Sequence, residues 1–336
     1  DDGTLRCWGS NSNGQIGDGT FIERTTPTLI NLGLDKFAKS VSLGQTHTCA
    51  LLNDDSIKCW GSNSNGQIGD GTTLDSNSPR SVTLQGGQTA ISISSGSYHT
   101  CSILENFSVS CWGDNWHGQL GDGTNDRSLG PTMVLFDSEY EVRFLDSGSF
   151  HTCAIFINNS MYCWGFNSAG QLGNYELANS NIPLLIELSE LDTPTYVGSG
   201  FHHTCSLLES GYVICWGDNS RGQLGDSSLT SRNNPEPVNI PPGRFVKSLS
   251  VGNRHSCAVL DDATLYCWGL NSDGQLGNGG LLNSISPDLI DLNHGSGTQT
   301  ACKLGTYQPD SGQTSCVPAS KGFSVSETAS LQQTPC

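Results

Sequence analysis

Apolar residues fall in short clusters separated by polar and glycine-rich stretches, and no cluster keeps the spacing of an amphipathic helix. Val41 to Leu52 and Ser56 to Trp60 are β-branched, apolar runs on either side of Asn53-Asp54-Asp55, which is turn chemistry between two strands. A hairpin centred on Asp54 follows, with Ala50 through Leu52 facing Ile57 and Lys58. Another short run, such as Thr28 to Leu32 or Pro287 to Leu292, precedes each hairpin. The pattern predicts an all-β chain.

The clusters recur at a fixed interval. Cys-Trp-Gly begins at Cys7, Cys59, Cys111, Cys163, Cys215 and Cys267, each 52 residues after the last. A second motif, Gly-x-x-His-Thr/Ser-Cys, ends at Cys49, Cys101, Cys153, Cys205 and Cys257, always ten residues before the next Cys-Trp-Gly. A glycine-rich loop follows each Cys-Trp-Gly, as in Gly14-Gln15-Ile16-Gly17-Asp18-Gly19-Thr20, and decays in later copies such as Gly170-Gln171-Leu172-Gly173-Asn174. A period of this length belongs to solenoids and propellers.

These motifs resemble the repeats of the regulator of chromosome condensation family, whose pattern joins a glycine-His strand, an Asp-Gly turn, a Trp-Gly strand and a Gly-Gln-Leu-Gly loop. The resemblance covers roughly residues 1 to 304 and implies a β-propeller of four-stranded blades around a central channel. Six Cys-Trp-Gly units close a ring if one blade is split between the chain ends. Asp1 and Asp2 align with Asp54 and Asp55, so the chain starts inside a hairpin. Gly297-Thr298-Gln299-Thr300-Ala301-Cys302-Lys303-Leu304 matches Gly44 to Leu51 at Gly, Cys and Leu, and is expected to supply the missing strand. The expectation is therefore an all-β propeller of six blades over residues 1–304 with a split closing blade; seven blades with one missing upstream is the alternative.

Cysteines ten residues apart stand opposite each other if the turn is centred on Asp54, and an antiparallel pair outside the hydrogen-bonded sites brings their β-carbons near bonding range. Five bridges are expected: Cys49 to Cys59, Cys101 to Cys111, Cys153 to Cys163, Cys205 to Cys215 and Cys257 to Cys267. The split blade would add Cys7 to Cys302, leaving Cys316 and Cys336 for each other or for other chains. Repeated pairs at hairpin register indicate an oxidising, extracellular setting. The alternatives are reduced cysteines packed as small hydrophobes and zinc, for which the third and fourth ligands are missing.

Residues 305–336 read as a separate cysteine-rich, stalk-like tail, and both ends of the chain read as cut. The tail resembles one unit of the cysteine-rich repeats of ephrin-receptor-like extracellular modules. That resemblance implies a Cys302 to Cys316 pair instead, with Cys7 and Cys336 free to link chains. Asn106-Phe107-Ser108 and Asn158-Asn159-Ser160 are glycosylation sequons at equivalent turns; the alternative is that Asn serves the turn itself, as Asp54 and Asp262 do.

The 32 acidic against 15 basic residues give a net charge of -17, which opposes binding to nucleic acid or to anionic membranes. No apolar run is long enough for a membrane-spanning helix. His47, His99, His151, His203 and His255 should form a ring, each making a structural hydrogen bond within its own blade; symmetry spreads them too far apart to share one metal. The loop Asn11-Ser12-Asn13-Gly14 has too few carboxylates for calcium. No catalytic motif is present, no cofactor is implied, and the most irregular positions, Trp116-His117 and Tyr175-Glu176, read as contact surfaces.

The leading expectation is a secreted or cell-surface structural or adhesive protein, non-catalytic, joined to other modules or to its own copies through the tail and split blade, with a head-to-tail filament as one form. Glycans are a further candidate partner. The alternative is a secreted protein-binding propeller, an inhibitor or receptor-like module, which requires aromatic and charged residues gathered on one rim. Nucleotide exchange on a small GTPase while bound to chromatin, the founding family's role, is opposed by the acidity, the cysteine pairs and the absent basic arm.

Overall fold

The computed structural model describes residues 4–137, 141–188 and 192–291, and beyond these only four two-residue strands between Thr306 and Pro335. Strands β1 (Arg6–Gly9) and β2 (Arg24–Leu29) pair only with each other among the described residues. Five four-stranded antiparallel sheets follow. The first holds β3 (Ala38–Leu43), β4 (His47–Leu52), β5 (Ile57–Gly61) and β6 (Ser76–Val82), in that order across the sheet. The other four repeat it over residues 90–133, 142–185, 194–237 and 246–290.

The all-β, six-bladed expectation holds, with five blades complete and the sixth represented by its two outer strands. The segment expected to complete it, 297–304, lies outside the described residues, as do Cys302, Cys316, Cys336 and most of the tail.

Two strand assignments change. The run Val41 to Leu52 is two strands, because the chain reverses at Gly44-Gln45-Thr46, where the Gly44 N–H donates to the His47 carbonyl at 2.9 Å. A Cβ at Gly44 would lie 2.1 Å from Cε1 of His47, so only glycine leaves room for the imidazole. The outer strands begin earlier than their apolar runs, at Arg24 and at Ser284. Ile30 and Leu32 lie past the end of β2 and bury themselves against Trp60 and Leu52 of the next blade.

The hairpin follows its expected register, with Cys49 opposite Cys59 and Leu51 opposite Ile57. Asp54 shapes the turn by accepting the Ser56 hydroxyl at 2.7 Å, and Asp55 takes the left-handed conformation at φ 63°.

The core lies between blades rather than inside them. Five apolar clusters each join one blade's loop leucine or isoleucine to the next blade's tryptophan, as Leu120 joins Trp164 and Ile68 joins Trp112. Trp60, Trp112, Trp164, Trp216 and Trp268 are all 0% exposed. Their burial makes each blade depend on the one before it.

Candidate binding face

A four-residue relay repeats at every junction between complete blades. The His47 Nε2 sits 2.9 Å from the Thr100 hydroxyl of the next blade, that hydroxyl donates to the Gln67 carbonyl at 3.1 Å, and Trp112 Nε1 donates to the same carbonyl at 3.0 Å. His99 with Thr152, His151 with Thr204 and His203 with Ser256 repeat the arrangement. The histidine bond therefore crosses between blades, which corrects the expectation of a bond within each blade: the imidazole lies at the start of its strand, against the neighbouring sheet.

The hydroxyl's single proton goes to the carbonyl, so its oxygen must accept from Nε2–H. Nδ1 is then bare, and in all four histidines it is buried without a partner among the described residues. Burial drives His47 down to about 4, and His99, His151 and His203 to about 3. These rings are neutral structural pins, and no group of three or more potential metal ligands exists among the described residues. The glycine loops are equally committed. Asn11 Nδ2 donates to the carbonyls of Thr20 and Ile22 at 3.0 Å, putting an N–H donor where a cation would need oxygen.

Departures from the repeat gather elsewhere. The residue before each repeat histidine is Thr46, Tyr98, Phe150, His202 and Arg254 in turn, and the residue after each complete-blade Cys-Trp-Gly is Ser62, Asp114, Phe166, Asp218 and Leu270. Both columns lie at one end of the blades, because His47 pairs with Gly61 across the hairpin. Phe150 is the hub: its ring centroid is 5.9 Å from Tyr98, 5.7 Å from His117, 6.3 Å from Phe166 and 5.8 Å from Phe201. His202 stacks 4.2 Å from Phe201, and the Arg254 guanidinium lies 5.0 Å from the Phe201 centroid. The pKa of His202 is lowered, chiefly by its burial in the patch. Trp116, next in sequence to His117, stands 79% exposed.

The patch reaches the central channel through Phe201. A cavity of about 420 Å³ opens there, walled by inner-strand residues of all five complete blades. Asp146 lies deep on its wall, still reached by the channel space, and accepts the Ser199 N–H at 2.7 Å. Burial pushes its carboxyl up to about 6.

Of the residues singled out from sequence, the ten hairpin cysteines are joined in the five expected pairs, with Cα atoms 4.1 Å apart. Cys7 is half-buried and unpaired among the described residues. It lines a groove of about 390 Å³ with Trp8, Val41 and Leu43. Asn106 and Asn158 sit on exposed turns, each accepting the hydroxyl two residues on, from Ser108 at 2.6 Å and Ser160 at 2.7 Å. Their side chains thus perform the turn role that Asp54 performs.

His117 and His202, which have no repeated context in sequence, meet around Phe166 at 4.6 and 5.0 Å. Asp146 and the aromatic hub escaped the sequence reading. The signal was present as columns: Ser42, Ser94, Asp146, Gly198 and Ser250 share one repeat position.

Comparison with known proteins agrees with this architecture. The chain is 27% identical to the ultraviolet-B receptor UVR8 of Arabidopsis thaliana over 96% of its own length and 74% of that protein's. It is 31% identical to the human probable E3 ubiquitin-protein ligase HERC3 over 85% of its length, but spans only 32% of that protein. Among solved structures, human WBSCR16 superposes with a TM-score of 0.76 at 22% identity, covering 85% of this chain and 76% of that one. Yeast RCC1 (Prp20), in its complex with Kap60, gives 0.78 at 20% identity, covering 90% and 74%. A family model described as the RCC1-like domain matches residues 1–307. With that match spanning the whole propeller, the chain belongs to the RCC1-like domain family.

Proposed function

We propose that this chain is a non-catalytic, protein-binding propeller that works outside the cell through its aromatic face. The carrying observation is that repeat-breaking aromatic and imidazole side chains from several columns converge on one end of neighbouring blades. Half-exposed aromatics, with the largely exposed Trp116 next in sequence to His117 of the cluster, have the composition of a binding hot spot. The complex of yeast RCC1 with Kap60 is a precedent for a propeller of this family in a protein assembly. Ligase activity is not carried over, since the match to HERC3 spans a minor part of that protein.

The extracellular assignment rests on the five cross-strand cysteine pairs. Affinity capture from the protein's own source tests the face. Partners held by the wild type should be lost with Trp116→Ala/Phe201→Ala and kept with Phe107→Ala, which lies on a hairpin turn at the opposite end of its blade. Equal loss from both variants removes the reading.

A second reading concerns the groove at Cys7. We infer that residues 297–304 fill it as a strand beside β1, pairing Cys302 with Cys7. The groove, together with a thiol and a β1 edge that have no partner among the described residues, supports this. Non-reducing peptide mapping should then yield a peptide pair joined at Cys7 and Cys302. Disulfide-linked oligomers would instead place a second copy's strand there, the head-to-tail filament form.

A further inference from the structure

We propose that the channel mouth holds an organic cation, an ammonium or guanidinium group, on the carboxylate of Asp146. The inference deepens the reading of the aromatic face, on whose rim the channel opens, but it concerns a separate site.

The scaffold does not require a charge at this position. In the first two complete blades the equivalent Ser42 and Ser94 accept the next blade's N–H, from Ser95 at 2.7 Å and from Ser147 at 2.9 Å. Asp146 Oδ2 does the same for Ser199, where a serine hydroxyl would serve. A carboxylate half-buried on a channel wall loses hydration that something must compensate, and none of the ion pairs among the described residues involves Asp146.

The site retains unused capacity. Oδ1 is met by the Ser94 hydroxyl only at 3.4 Å, and a carboxylate can accept several bonds. Ser95, nine-tenths buried on the same walls, carries a hydroxyl with no partner among the described residues. Among the described residues Asp146 is the only charged side chain lining the cavity, and Tyr196 and Phe201 add aromatic surface. An anion with hydroxyl acceptors and aromatic walls is the chemistry that selects organic cations. A cavity of about 420 Å³ admits a lysine or arginine tip, or a small free amine.

The test follows the Ser199 amide by NMR in the intact protein near neutral pH, titrating n-butylammonium chloride against potassium chloride at matched ionic strength. A saturable shift is expected in the wild type. It should vanish in Asp146→Ser, which keeps an acceptor for Ser199 and should melt no lower than the wild type. At about pH 5 the affinity should fall about tenfold as the carboxyl takes up its proton. Tyr196, the other titratable group on these walls, is held up to about 12 and stays neutral throughout.

No saturable shift, an equal shift in Asp146→Ser, or an equal shift with potassium chloride overturns the proposal, the last by making the ligand an inorganic cation. Affinity capture with Asp146→Ser separates the two sources. Loss of partner together with loss of amine binding places the cation on a docking protein; loss of amine binding alone assigns it to a free amine. Phe201 lines both surfaces, so the face is scored here with Trp116→Ala alone, which leaves every lining residue of this cavity in place, and the two sites can fail independently.

Discussion

The same Cys-Trp-Gly motif has opposite fates at two places in this molecule. In the five complete blades its tryptophan is 0% exposed and its cysteine is bonded across the hairpin. In the half blade Trp8 is 60% exposed and Cys7 is unpaired among the described residues. The motif therefore does not bury itself. Burial comes from the strand before it and from the preceding blade's loop, whose Gly17 fits so closely over Trp60 that a Cβ there would lie 2.4 Å from Nε1. His255 shows the same dependence at the other end of the array: it is half-buried and has no relay hydroxyl among the described residues.

Acid should bring out this difference most strongly. The four buried imidazoles have folded values near 3 to 4, well below the ordinary 6.5. Between those limits the unfolded chain binds more protons, so stability is complete above pH 6.5 and declines as pH falls. At about pH 5 each buried imidazole subtracts roughly 2 kcal/mol. Asp146, shifted upward, acts in the opposite sense and offsets only part of this. Chemical denaturation across that range should show a loss of several kcal/mol. The His255 imidazole signals should titrate at higher pH than the other four; simultaneous titration would dissolve the distinction.

The next effect is a matched pair of truncations. Trp112→Ala removes a buried indole and should cost about 3–5 kcal/mol, whereas Trp8→Ala should cost under about 1 kcal/mol with the groove at Cys7 open and come close to the Trp112 loss if the strand inferred beside β1 fills it. Equal losses by thermal or urea unfolding would mean that Trp8 is covered in solution. A smaller contrast lies within one loop. Gly17→Ala meets the Trp60 ring and should cost roughly 2–3 kcal/mol. Gly19→Ala has the same φ of +83° but open space around it, and should cost about 1 kcal/mol.

These contrasts also mark how far the sequence could be read. Fixed spacing and turn chemistry were enough to place every complete-blade hairpin and its facing cysteines, because register is local. The break of Val41 to Leu52 at Gly44 was hidden, since both strands are apolar and the glycine's purpose is an imidazole three residues on. Histidine partners lie 53 residues away in the next sheet, beyond any local pattern. The aromatic face was legible only as a rim that a binder would require. Its members differ from the consensus in separate columns, and Tyr98, Phe150 and Phe201 become neighbours only once blades stand side by side. Asp146 looks ordinary among 32 acidic residues until its column shows serine in the preceding blades.

The smallest effect tests the junction itself. The Thr100 hydroxyl receives His47 Nε2 and donates to the Gln67 carbonyl, while its counterpart Thr48, at the junction with the half blade, donates to the Gln15 carbonyl at 2.8 Å and receives no imidazole among the described residues. Thr100→Val keeps the shape but strands a buried N–H, and should cost about 1–2 kcal/mol; Thr48→Val strands only one acceptor of a carbonyl that Trp60 Nε1 also satisfies, and should cost about 0.5–1 kcal/mol. A double-mutant cycle adding His47→Leu refines the comparison. The Thr100 substitution should lose about 1 kcal/mol of its effect once the imidazole is gone, whereas that of Thr48 should be unchanged. Coupling at both positions would mean that a proton donor reaches Thr48 in solution, so the junction at the half blade would carry the same relay as the others.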